Sequence, residues 1–143
     1  MKKFSFQLES VMNFKNQHLE SKKAEHANIL ALVNAQNEKI QGLLARFKGI
    51  NLEFNDKKMA GISIIEAMEY SGFLYTLEVE IQQANRYLKE LQLKEEHKRG
   101  EVVEAKIESS TLEKLKEKKL ELYHKEVQKS EERYIEEFVS RSL

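Results

Sequence analysis

Apolar side chains recur every three or four residues along most of this chain, and that spacing allows little except long helices packed side by side. Stepping alternately four and three residues from Leu8 meets Leu8, Met12, Lys15, Leu19, Lys22, His26, Ile29, Val33, Gln36, Ile40, Leu43, Phe47, Ile50 and Phe54. Ten of these fourteen side chains are apolar. A 3.5-residue repeat keeps one stripe facing a partner helix and implies a left-handed supercoil. A second seam runs through Tyr70, Leu74, Leu77, Ile81, Ala84, Leu88, Leu91, Glu95, Lys98, Val102, Ala105, Ser109 and Leu112. Beyond Leu112 the register drifts, and the stripe continues through Leu115, Leu120, Tyr123, Val127, Tyr134 and Phe138.

Composition agrees with helices rather than a globule. Of 143 residues, 34% are charged and 41% hydrophobic, with no proline and five glycines. Lys, Glu, Leu, Gln and Ala fill the chain, and these residues lose little rotamer freedom in a helix. Twenty-four basic side chains balance twenty-four acidic ones, so the basic excess of a nucleic-acid binder is missing. There is no cysteine, hence no disulfide framework and no thiolate chemistry. The start MKKFSFQLESVMNF has polar Gln7, Glu9 and Asn13 where a signal peptide needs a continuous apolar core. No apolar run is long enough for a membrane span. The expectation is a cytoplasmic protein without direct membrane insertion.

Between the seams, Asn55 and Asp56 are placed to stop one helix. Gly61 offers a break, and Ser63 with Glu66 forms a capping box for the next helix. The expected fold is all-α: an antiparallel coiled-coil hairpin in one domain, 1–143. Helix one covers about 5–54, a short irregular or helical tip covers about 55–65, and helix two covers about 66–140. A parallel dimer of one continuous helix is the alternative, and Gly61 weighs against it. The arms are unequal, about 75 Å and about 110 Å at 1.5 Å per residue. Pairing Phe54 with residues near 68 puts Leu8 opposite residues near 114 and His26 beside Glu95 or Glu96. About the last 28 residues then lack a partner in their own chain.

Catalytic chemistry is hard to place on such a fold. The four histidines, His18, His26, His97 and His124, belong to no metal-binding motif. No glycine-rich phosphate loop or nucleophile elbow occurs. A two-helix hairpin also encloses no pocket in which to shift a pKa. No catalytic residue, metal, cofactor or small-molecule substrate is expected. Lys15, Lys22, His26 and Gln36 are polar residues on seam positions, which set register at some expense in stability.

What remains is surface. Phe73, Leu74 and Tyr75 point in different directions around a helix, so one seam cannot hide all three. The excess marks the tip as a partner surface, with Leu43, Phe47, Ile50, Phe73 and Leu77 as candidates. The unpartnered stripe of helix two marks a second surface, with Phe4, Phe6, Leu8, Leu115, Leu120, Tyr123 and Val127 as candidates.

The start KFSFQLESVMNFK, the tip GIS followed by YSGFLYTLEVEI, and the late LEKLKEKK, YHKE and KSEERYIEE resemble the FliJ family. These are coiled-coil components of the flagellar type III export apparatus. The resemblance covers essentially the whole chain. It implies a fold similar to the central stalk of rotary ATPases and a non-enzymatic function. Such a stalk inserts in the export ATPase hexamer, promotes ring assembly and activity, and links the ring to the membrane export gate. It also implies binding of export chaperones and a peripheral position at the inner membrane. On this reading the terminal candidates face the ATPase ring and the tip candidates face the gate. The alternative is a coiled-coil holdase or escort chaperone for export substrates.

Overall fold

The computed structural model describes residues 2–142. Two α-helices account for nearly all of them: α1, Glu9–Ala60, and α2, Ile64–Ser142. The chain divides into two compact units. The first holds Met1–Lys23 with Glu101–Leu143, and the second holds Ala24–Gly100.

In the second unit α1 and α2 pack antiparallel, because partners on α2 fall in number as those on α1 rise. His26 Nε2 lies 2.9 Å from Glu95 Oε1, the Gln36 amide donates to the Ala84 carbonyl at 3.0 Å, and Tyr70 donates to Glu53 at 3.0 Å. The His26–Glu95 contact is the one expected from the seam spacing. Ile40, Phe54, Leu77, Ala84 and Leu91 form the buried core, and Leu77 is only 2% exposed. Each occupies a heptad position, as burial of an a/d stripe requires.

In the first unit the same spacing joins different chemistry. Lys116 pairs with Glu9 at 3.0 Å, Lys15 with Glu108 at 2.9 Å, and Lys22 with Glu101 at 3.1 Å. Ser109 donates to Asn16 across the seam. Met12 and Ala105 supply the buried apolar contacts of this unit.

The turn is tighter than the sequence suggests. α1 runs through Asn55 and Asp56 to Ala60, and only Gly61–Ser63 are non-helical. Neither Asn55 nor Asp56 interrupts the backbone ladder, because a single polar residue gives up only a few tenths of a kcal/mol of helix propensity. Gly61 ends the helix with φ at 96° and its amide donating to the Lys57 carbonyl at 2.9 Å, a left-handed C-terminal cap. Ser63 Oγ then accepts the Glu66 amide at 3.1 Å and starts α2. At the other end α1 begins at Glu9 rather than near residue 5, and residues 2–8 are not helical.

Candidate partner-binding surfaces

The tip of the second unit is closed by aromatic stacking. The rings of Phe54 and Tyr70 lie 5.1 Å apart and nearly parallel, with the Lys58 ammonium 3.9 Å from the Phe54 centroid and that of Lys57 5.4 Å from Tyr70. A hydrogen bond with Tyr70 is the main cause raising the Lys57 pKa above its ordinary 10.5, and attraction to Tyr70, Glu53 and Glu66 adds to it. Beside the stack is an open groove of about 410 Å³, floored by Ile50, Tyr70 and Phe73 and rimmed by Glu53, Lys57, Glu66 and Glu69.

The five tip candidates divide by exposure. Leu77 lies inside the seam and offers no outward surface. Leu43, Phe47 and Ile50 are half-buried seam residues. Phe73 is 41% exposed beneath the Arg46 guanidinium, which stands 5.2 Å from its ring. The most open apolar side chains are others: Met59, 90% exposed, Ile64, 80%, and then Ile65, Met68 and Tyr75. Ile64, Met68 and Tyr75 follow at intervals of four and seven residues, so they share one outer face of α2. Their signal in the sequence is apolar character off the heptad, on both sides of a helix-ending glycine.

Of the seven terminal candidates, the structure brings Phe4 against Tyr123 and sets Phe6 and Leu8 beside Leu115, while Leu120 and Val127 share only the helix α2 with them. Residues 2–8 lie against α2 as a strap. The Tyr123 hydroxyl donates to the Lys2 carbonyl at 2.7 Å, and the Phe4 and Tyr123 rings lie 5.5 Å apart. Phe4, Phe6 and Leu8 line a groove of about 280 Å³ with Leu115 and Lys119. Phe4 and Phe6 are half-buried while Ser5 and Gln7 between them are exposed. Alternation with a period of two is the mark of non-helical chain with one covered face, and Phe4 and Phe6 carry it, while Leu8 two residues on is exposed. Leu120, Tyr123 and Val127 are half-buried on α2. From Gln128 to Ser142 every residue is exposed, including Tyr134 at 71%, Ile135, Phe138 and Val139.

These elements define a class of fold, the antiparallel helical hairpin. The family model described as Flagellar FliJ protein matches residues 4–143, and the chain belongs to that family. Membership makes it a component of the flagellar export apparatus, in a family whose role there is non-catalytic. No curated protein and no solved structure matches the chain. Among the described residues no helix is long and apolar enough to cross a membrane.

Proposed function

We propose that this protein is the stalk and coupling component of the export apparatus. It inserts in the export ATPase ring, promotes the ring's assembly and activity, and connects it to the membrane export gate. The observation that carries this reading is the carboxyl-terminal part of α2, where an apolar stripe continues through Tyr134 and Phe138 with every residue exposed. A helix keeps such a face where another protein covers it. Leu115, Leu120, Tyr123 and Val127 extend the same stripe, and the strap residues Phe4, Phe6 and Leu8 sit upon it.

The gate contact belongs to the tip, centred on Phe73 and the open side chains of Met59, Ile64 and Met68 rather than on buried Leu77. Leu43, Phe47 and Ile50 support that surface from within the seam. The protein has no cofactor in this role, binds neither nucleic acid nor a small-molecule substrate, and sits peripherally at the inner membrane on the cytoplasmic side.

Adding the chain to the export ATPase at equal concentrations tests this reading. Hydrolysis and ring formation both rise, and Tyr134→Ser with Phe138→Ser removes the rise. Ile64→Ser with Met68→Ser leaves it intact and weakens gate binding instead. An ATPase indifferent to the wild-type chain would defeat the proposal. A second reading, a holdase for export substrates or an escort for chaperones, is favoured by Met59 and Met68, since methionine adapts to varied partners. Suppressed aggregation of exported subunits with no ATPase present would support it.

A further inference from the structure

We infer that residues 2–8 are a displaceable cover over the ring-facing surface of α2, so that the free chain holds part of its own docking face closed. The inference rests on the terminal half being the surface that meets the ring. Its own observation is the difference between two lengths of one stripe. Leu115 and Tyr123, which the strap touches, lie half-buried, whereas Tyr134, Ile135 and Phe138 beyond it are open.

The strap is built to release. It has no helix of its own, so no internal backbone ladder holds it together. Its hold on α2 is the Tyr123 hydroxyl on the Lys2 carbonyl, the ring pair of Phe4 with Tyr123, and the side of Phe6 and Leu8 that faces Leu115. None of Phe4, Phe6 and Leu8 is fully buried. A few half-buried contacts set against the entropy of ordering a non-helical segment leave closed and open states close in free energy. The Lys116–Glu9 and Lys15–Glu108 pairs and buried Met12 hold α1 on α2 beyond the strap, so opening does not require the helices to part.

The partner that displaces the strap must offer what the strap offers: an aromatic or aliphatic side chain for Tyr123 and Leu115, and an acceptor for the Tyr123 hydroxyl. Once displaced, the strap uncovers a continuous stripe from Leu115 to Phe138. Phe4 and Phe6 then act as competitors of the ring rather than as contacts to it.

Two measurements on the full chain test this. Thiol exchange needs no partner, and the chain has no cysteine of its own. Leu115→Cys is expected to react with a soluble aromatic disulfide about tenfold to a hundredfold more slowly than Ile135→Cys, and adding Phe4→Ala with Phe6→Ala removes most of that difference. A Leu115→Cys thiol that reacts only on global unfolding makes the strap a fixed part of the fold, and one that reacts as fast as Ile135→Cys means no cover exists. Either result overturns the inference. In the second measurement Ser5→Cys and Lys119→Cys are joined by a short bis-maleimide bridge containing a disulfide. The bridged chain binds the ATPase at least about tenfold more weakly, reduction restores binding, and Phe4→Ala with Phe6→Ala tightens it about threefold to tenfold. Equal binding by bridged and reduced chains, or weaker binding by the phenylalanine variant, refutes the cover. A wild-type chain that ignores the ATPase refutes the ring reading and with it the strap's role as competitor, whatever exchange shows.

Discussion

The seam around Ile40, Leu77, Ala84 and Leu91 and the seam around Lys15, Lys22 and Ser109 have the same heptad spacing and opposite chemistry. In the first, apolar side chains are buried to a few percent, with Gln36 as the one buried polar intruder. In the second, ion pairs span the two helices: Lys15–Glu108, Lys22–Glu101 and Lys116–Glu9. All six of these side chains keep part of their surface in water. Spacing decides which residues face across the seam, and residue type decides what facing is worth. Apolar burial stabilises by about 25 cal/mol per Å². A partly exposed ion pair contributes about 0–1 kcal/mol and mainly penalises the wrong register.

The sharpest way to break this contrast is Leu77→Ala. Emptying a site this buried is expected to destabilise the chain by about 2–4 kcal/mol, read from the urea midpoint at unchanged slope. We propose that residues 1–143 unfold as one domain, so calorimetry should show a single transition that moves as a whole. A fixed second transition would mean that the two units melt apart. Gln36→Ala follows, at about 1–2 kcal/mol, because it deletes a buried hydrogen bond to the Ala84 carbonyl and thins the seam, although that carbonyl keeps its intrahelical partner in α2. Gly61→Ala comes next, at about 1 kcal/mol, since φ of 96° suits glycine alone even though a Cβ there would touch nothing. Smallest is Lys22→Leu with Glu101→Leu. Stability should shift by about 1 kcal/mol or less in either direction. The contrast fails if this pair costs as much as Leu77→Ala in the same urea series.

Much of the fold was legible residue by residue. Every expected seam position from Met12 to Phe54 and from Tyr70 to Leu112 is shielded to some degree, including polar Lys15, His26, Glu95 and Lys98. The His26–Glu95 contact followed from spacing alone. The Ser63 cap and the Gly61 break were equally readable, because each rests on one residue's local chemistry. Less was legible at the ends. Asn55 and Asp56 point to a stop that α1 overrides, and the seam spacing predicts a helix from about residue 5 where α1 starts only at Glu9. The candidate surfaces were harder still. Leu77 has the same apolar character as Ile64, but one lies in the seam and the other faces outward.

The sequence by itself determined the two helices, their antiparallel partnership to within about a heptad, and the polar character of one part of the seam. These follow from a 3.5-residue period and from charges at matching positions, both of which act over a few residues. Only the tertiary structure decided that residues 2–8 turn back over Tyr123, that Met59, Ile64 and Met68 are the open side chains of the tip, and that Leu77 is closed. Exposure depends on what the rest of the chain covers, and no local pattern carries that information.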